Sequence, residues 1–84
     1  MEPVPSWEAA QGAPSEARKF QRTAWPEAPI PVWVWLVMGM NSDQSHRAQA
    51  EALAWTENQV WVRYVDNQGR EGFVWVWANA VQRR

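Results

Sequence analysis

Three groupings of side chains have the types that chemistry would need. Asp43, Ser45 and His46 are the residues of a hydrolytic triad, but they sit as near neighbours on a polar stretch. Such neighbours seldom reach the geometry in which a base activates a nucleophile and a carboxylate orients the base. Trp61, Tyr64 and Trp75, with Asp66 nearby, have the composition of an aromatic cage for a methylated cation. The competing reading makes them packing residues. Arg63, Arg70, Arg83 and Arg84 stand near aromatics, the pairing that holds single-stranded nucleic acid by stacking and phosphate contact. Five acids in the same region (Asp43, Glu51, Glu57, Asp66, Glu71) balance its five arginines, so nucleic acid is not the expected partner.

Other site classes are excluded by composition. There is no cysteine, hence no disulfide framework and no thiolate metal site, and the one histidine, His46, cannot head a multi-histidine site. The glycines at 12, 39, 69 and 72 are scattered and form no phosphate loop. The sequence therefore points to no catalytic residue, no metal and no cofactor. With 8 Lys+Arg against 9 Asp+Glu over 84 residues, the net charge is −1, and no basic excess favours an anionic membrane. The longest apolar run, from Val32 to Met40, is too short to span a bilayer. The N-terminus, acidic and proline-bearing, lacks the apolar segment of a secretory signal, so the expected location is cytoplasmic.

The elements that position these residues divide near residue 30. Residues 1–31 hold all six prolines, four acids and three basic residues, with sparse apolar side chains at Val4, Trp7, Phe20, Trp25 and Ile30. That composition buries too little surface to offset ordering, and it predicts a flexible, disordered arm with at most a short helix after Ser15. Docking of Trp7, Phe20 and Trp25 onto the folded part is the alternative.

Residues 32–84 predict an all-β domain of four to five short antiparallel strands. Val32–Met38, Val60–Val65 and Gly72–Trp77 alternate in the strand period. Asp66-Asn67-Gln68-Gly69 supplies a hairpin connection with glycine where positive φ is needed. Val81–Arg84 is a candidate last strand after a short turn. The alanine-rich stretch 45–56 is ambiguous between helix and strand. Alanines at 48, 50, 52 and 54 put small residues on one strand face, which favours strand with a loop at Thr56–Gln59.

Strand count and turn spacing suggest a small SH3-like barrel. The stretch Ala52–Arg84, with Val60, Val62, Tyr64 and Asp66 in a V-x-V-x-Y-x-D strand, resembles Tudor and chromo-barrel domains. The same order resembles the plasmid-encoded type II dihydrofolate reductases. These pair a disordered arm with SH3-like barrels that tetramerise around a pore. That resemblance implies NADPH as cofactor and places the family's Val-Gln-Ile-Tyr pore motif near Val74-Trp75-Val76-Trp77, where tryptophan replaces both the glutamine and the tyrosine. The only lysine, Lys19, lies in the arm, so the family's pore lysine has no match.

Alternation gives each strand an aliphatic and an aromatic face. A small barrel interior suits valine, leucine and alanine better than several indoles, so Trp33, Trp35, Trp61, Trp75 and Trp77 are placed outside. Five indoles amount to on the order of 1,000 Å² of apolar surface, more than the roughly 300–600 Å² a lone domain shows. The expectation is a non-enzymatic interaction module that self-associates, or binds a protein or peptide, through Trp33, Trp35, Trp61, Tyr64, Trp75, Trp77, Arg63 and Arg70. The alternatives are the NADPH-dependent reductase and a phage-type or regulatory inhibitor that binds one target protein. The reverse arrangement, with indoles as the core, remains open at this point.

Overall fold

A computed structural model of the chain describes residues 2–5, 9–18, 21–37, 45–66 and 68–84, with the side chains of Ala17, Ser45 and His46 left aside. Among the described residues there are five strands: β1 (Ile30–Val37), β2 (Ser45–Trp55), β3 (Gln59–Val65), β4 (Glu71–Trp77) and β5 (Val81–Arg83). Two short 3-10 turns accompany them, Ser15–Arg18 and Ala78–Ala80. Met38, Trp7, Lys19, Phe20 and Asp43 lie outside the described residues.

All pairings are antiparallel, in one sheet of order β4-β3-β2-β1-β5. The fold is a small all-β one, compatible with an SH3-like arrangement. The sheet is not closed, because no ladder joins β4 to β5. The alanine-rich stretch is strand, since its small side chains let β2 pair with β1 and β3 at once. Ala48, Ala50, Ala52 and Ala54 are all buried. Between Ala52 and Ala54 the register against β3 slips by one residue. A slip of this kind bends a strand and increases its twist. β2 thereby serves both parts of the curved sheet.

The aliphatic faces point inward. Val32, Val34 and Leu36 of β1, Val62 of β3, and Val74 and Val76 of β4 are buried with the β2 alanines. Trp33, Trp35, Trp61, Trp75 and Trp77 stand on the other face, so the reading with these tryptophans as the core does not describe this fold. The β3–β4 hairpin turns through Gly69 at φ 77°, with Asp66 N–H donating to the Arg70 carbonyl (2.9 Å) and Gly69 N–H to the Asp66 carbonyl (3.0 Å).

The arm, residues 1–31, is described at 2–5, 9–18 and 21–31. Its described residues lie along the sheet, because open strand edges offer backbone groups that a proline-bearing extended chain can satisfy without a core of its own. Val4 N–H donates to the Glu71 carbonyl (2.8 Å) and Glu71 N–H to the Glu2 carbonyl (2.7 Å). Gln11 N–H reaches the Val37 carbonyl at the end of β1 (2.7 Å), and Ala13 N–H reaches the Trp75 carbonyl on β4 (2.8 Å). Two residues of the arm thus tie β1 to β4 across the seam the sheet leaves open. Ala24 and Trp55 exchange a reciprocal pair of bonds at 2.7 and 3.0 Å. The first strand begins at Ile30, two residues before the expected boundary. Trp25 does not dock and is exposed.

Candidate binding surface

The outer face is set by strand alternation and by the register. In the β3–β4 ladder Trp61 opposes Trp75, Arg63 opposes Phe73 and Gln59 opposes Trp77. Trp61 lies against both neighbours, with ring centroids 5.9 Å from Phe73 (interplanar 20°) and 5.5 Å from Trp75 (39°). Phe73 and Trp77 remain 47% and 42% exposed. On β1, Trp33 is half-buried beneath Arg47, whose guanidinium carbon sits 4.3 Å from the ring centroid, while Trp35 is 57% exposed.

The aromatic surface is therefore two patches. Between them runs a polar band carrying Arg47, Gln49 and Glu51 on β2 and Arg63 on β3. Arg63 donates through Nη1 to Glu51 Oε1 (2.7 Å) and through Nε to Glu71 Oε2. The hydrogen bond it donates to Glu71, helped by the charges of Glu71 and Glu51 and opposed by desolvation, holds the Arg63 guanidinium above its usual range.

Tyr64 does not belong to this surface. It is the largest fully buried side chain, on the inner face opposite Trp61, because its place in the alternation is that of Val60 and Val62. Its hydroxyl accepts a hydrogen bond from Ala10 N–H at 2.9 Å. No cage of Tyr64, Trp61 and Trp75 forms. The face of Trp75 already holds a cation, Arg18, whose guanidinium carbon is 4.5 Å from the ring centroid.

Arg70 is bound to Asp66 through Nε (2.8 Å) and Nη2 (2.8 Å). Burial of Asp66 pushes its carboxyl up. The backbone N–H of Arg70, its guanidinium and the N–H of Gln68 outweigh that, and the net pKa lies below the usual carboxylate range. Arg63 and Arg70 are thus engaged with carboxylates inside the fold.

Gln59 is a residue the alternation alone misplaces. Its parity with Trp61 puts it on the outer face, yet it is fully buried, because the arm covers it. Gln59 Nε2 donates to the Pro14 carbonyl (3.2 Å), and Gln59 Oε1 accepts from Arg18 Nη1 (2.6 Å). A polar residue heading a run of Val and Trp was the available signal.

Among the described residues there is no group of three or more His, Cys, Asp or Glu that could hold a metal. The side chains of Asp43, Ser45 and His46 lie outside the described part. No described helix is long and apolar enough to cross a membrane. No protein-family model, no curated protein and no solved structure was found to match this chain.

Proposed function

We propose that the chain is a non-enzymatic interaction module that self-associates through the aromatic patch on β3 and β4. The observation that carries this reading is that exposed Phe73 and Trp77 share a strand face with half-buried Trp75, and that Trp61 packs against both Phe73 and Trp75. Phe73 and Trp77, the exposed rings of this face, present apolar surface that costs free energy in water, at roughly 25 cal/mol per Å². Identical patches on identical chains pair in symmetric assemblies. A small domain also gains from such burial, because its own core is limited.

Sedimentation mass with tryptophan emission tests the reading. An oligomer with blue-shifted emission, reduced to a folded monomer by Trp77→Gln, supports it. A monomer across a wide concentration range removes it. NADPH-dependent reduction of dihydrofolate by the purified protein would replace it with the pore-type reductase. Stoichiometric capture of one target protein by a monomer would replace it with an inhibitor.

A further inference from the structure

Among the described residues, part of one long strand edge has no partner. β2 pairs with β1 along Ser45–Ala52, but β3 joins it only from Ala50 onward, where Ala50 faces Tyr64. Among the described residues no strand lies beside Ser45–Gln49 on the side away from β1, and no backbone bond outside the ladders involves it. The other long edge, that of β4, is taken by the arm. Where β2 and β3 splay apart they leave an open groove of about 420 Å³, flanked by Arg47, Gln49, Glu51, Arg63, Asp66 and Arg84.

The charges of this groove are unevenly answered. Glu51 is bound by Arg63 and Asp66 by Arg70. Arg47 and Arg84 have no carboxylate among the described residues. Both hold positions over the Trp33 ring, 4.3 and 5.9 Å from its centroid, and Arg84 Nη2 also donates to the Ala50 carbonyl (3.3 Å). The edge thus presents unpaired backbone groups beside two guanidiniums with capacity for an anion.

We infer that the Ser45–Gln49 edge of β2 captures an extended acidic peptide by strand addition, with Arg47 and Arg84 meeting its carboxylates. Backbone pairing along a free edge gives affinity, and side-chain pockets at alternate positions give selectivity. A second copy of this chain is a poor occupant. Symmetric antiparallel pairing centred on Arg47 would set the two arginines directly opposite each other, and like charges so placed are destabilising. A nucleic-acid strand cannot form the backbone ladder that the open edge offers. This inference concerns a different surface from the β3–β4 patch, and either can fail alone.

The test uses the full chain and a capped, dye-labelled peptide of about six residues, the length of an ordinary strand, alternating glutamate with valine. Expected are binding by fluorescence anisotropy and shifts of backbone amides within Ser45–Gln49 by NMR. Affinity should drop about tenfold or more for the R47E/R84E double variant, and similarly for a peptide N-methylated at alternate amides. R47Q/R84Q, with the fold checked by the same spectra, replaces the reversal if that variant does not fold. The inference is overturned by absence of binding, by equal binding of the lysine–valine peptide, or by indifference to N-methylation. It is equally overturned if a short oligothymidylate binds more tightly at the same amides, or if those amides are already covered by self-association.

Discussion

The ring of Tyr64 lies over Gly72, its cross-strand partner, so closely that a Cβ at Gly72 would stand 2.3 Å from Tyr64 Cζ. The glycine on β4 makes room for the ring, and the ring sends its hydroxyl to Ala10 of the arm. One pair thereby joins the β3–β4 ladder, the core and the arm. Gly72→Ala, which ordinarily favours a strand, should here destabilise by about 1–3 kcal/mol through overpacking. Tyr64→Phe should keep the ring but leave the Ala10 N–H without its acceptor, at about 1–3 kcal/mol. Urea unfolding of the two variants measures both. A stabilised Gly72→Ala would contradict the packing described.

The arm should respond to Gln59 from a distance. Gln59→Leu removes both side-chain bonds to the arm, to Pro14 and from Arg18. Hydrogen exchange at the Gln11 and Ala13 amides should speed up, while amides at the centre of β3 keep their relative protection. Uniform acceleration across the sheet would instead show that the arm and the sheet open as one unit.

Asp66 ties stability to pH. Its folded pKa is depressed, so its contribution is fully present above the ordinary aspartate range and is lost as pH falls through the lower folded value. Asp66→Asn should therefore be less stable than the parent at neutral pH, by about 1–3 kcal/mol. The gap should close on acidification. Denaturant midpoints across an acid series give the comparison, and a gap that widens toward low pH would reverse the assignment.

Two of the three tryptophans of the β3–β4 patch should separate folding from assembly. Trp61 is packed between Phe73 and Trp75, and Trp61→Gln should cost about 1–3 kcal/mol of monomer stability. Trp77 is more exposed, and Trp77→Gln should change unfolding by no more than about 0.5 kcal/mol while lowering the sedimenting mass. A Trp77 variant that assembles unchanged would locate the contact elsewhere.

Much of the sheet could be read from alternation. Val32-Trp33-Val34-Trp35 and Val74-Trp75-Val76-Trp77 declare period two without ambiguity, and the alanines at 48, 50, 52 and 54 declare it for β2 because a helix would scatter them around its circumference. Tyr64 is legible as an inner residue by the same rule, whereas its place in an aromatic cage with Trp61 and Trp75 rested on side-chain type alone. The arm was not legible. Its backbone bonds to Val37, Glu71 and Trp75 depend on carbonyls and N–H groups that every residue carries, and composition says nothing about them. Gln59 followed the arm into concealment for the same reason. The split of the aromatic surface also escaped, since it depends on where Glu51 and Arg63 meet across strands, a matter of register and not of local pattern.

The bond from Ala10 to Tyr64 spans 54 positions of chain. During synthesis the arm leaves the ribosome long before the tyrosine and glutamine it must find, so its last contacts wait until β4 has been made. Such distant partners make for late, slow closure. A nascent chain interrupted before Trp75 would expose its unlatched leader to proteases, and only a finished molecule would resist them.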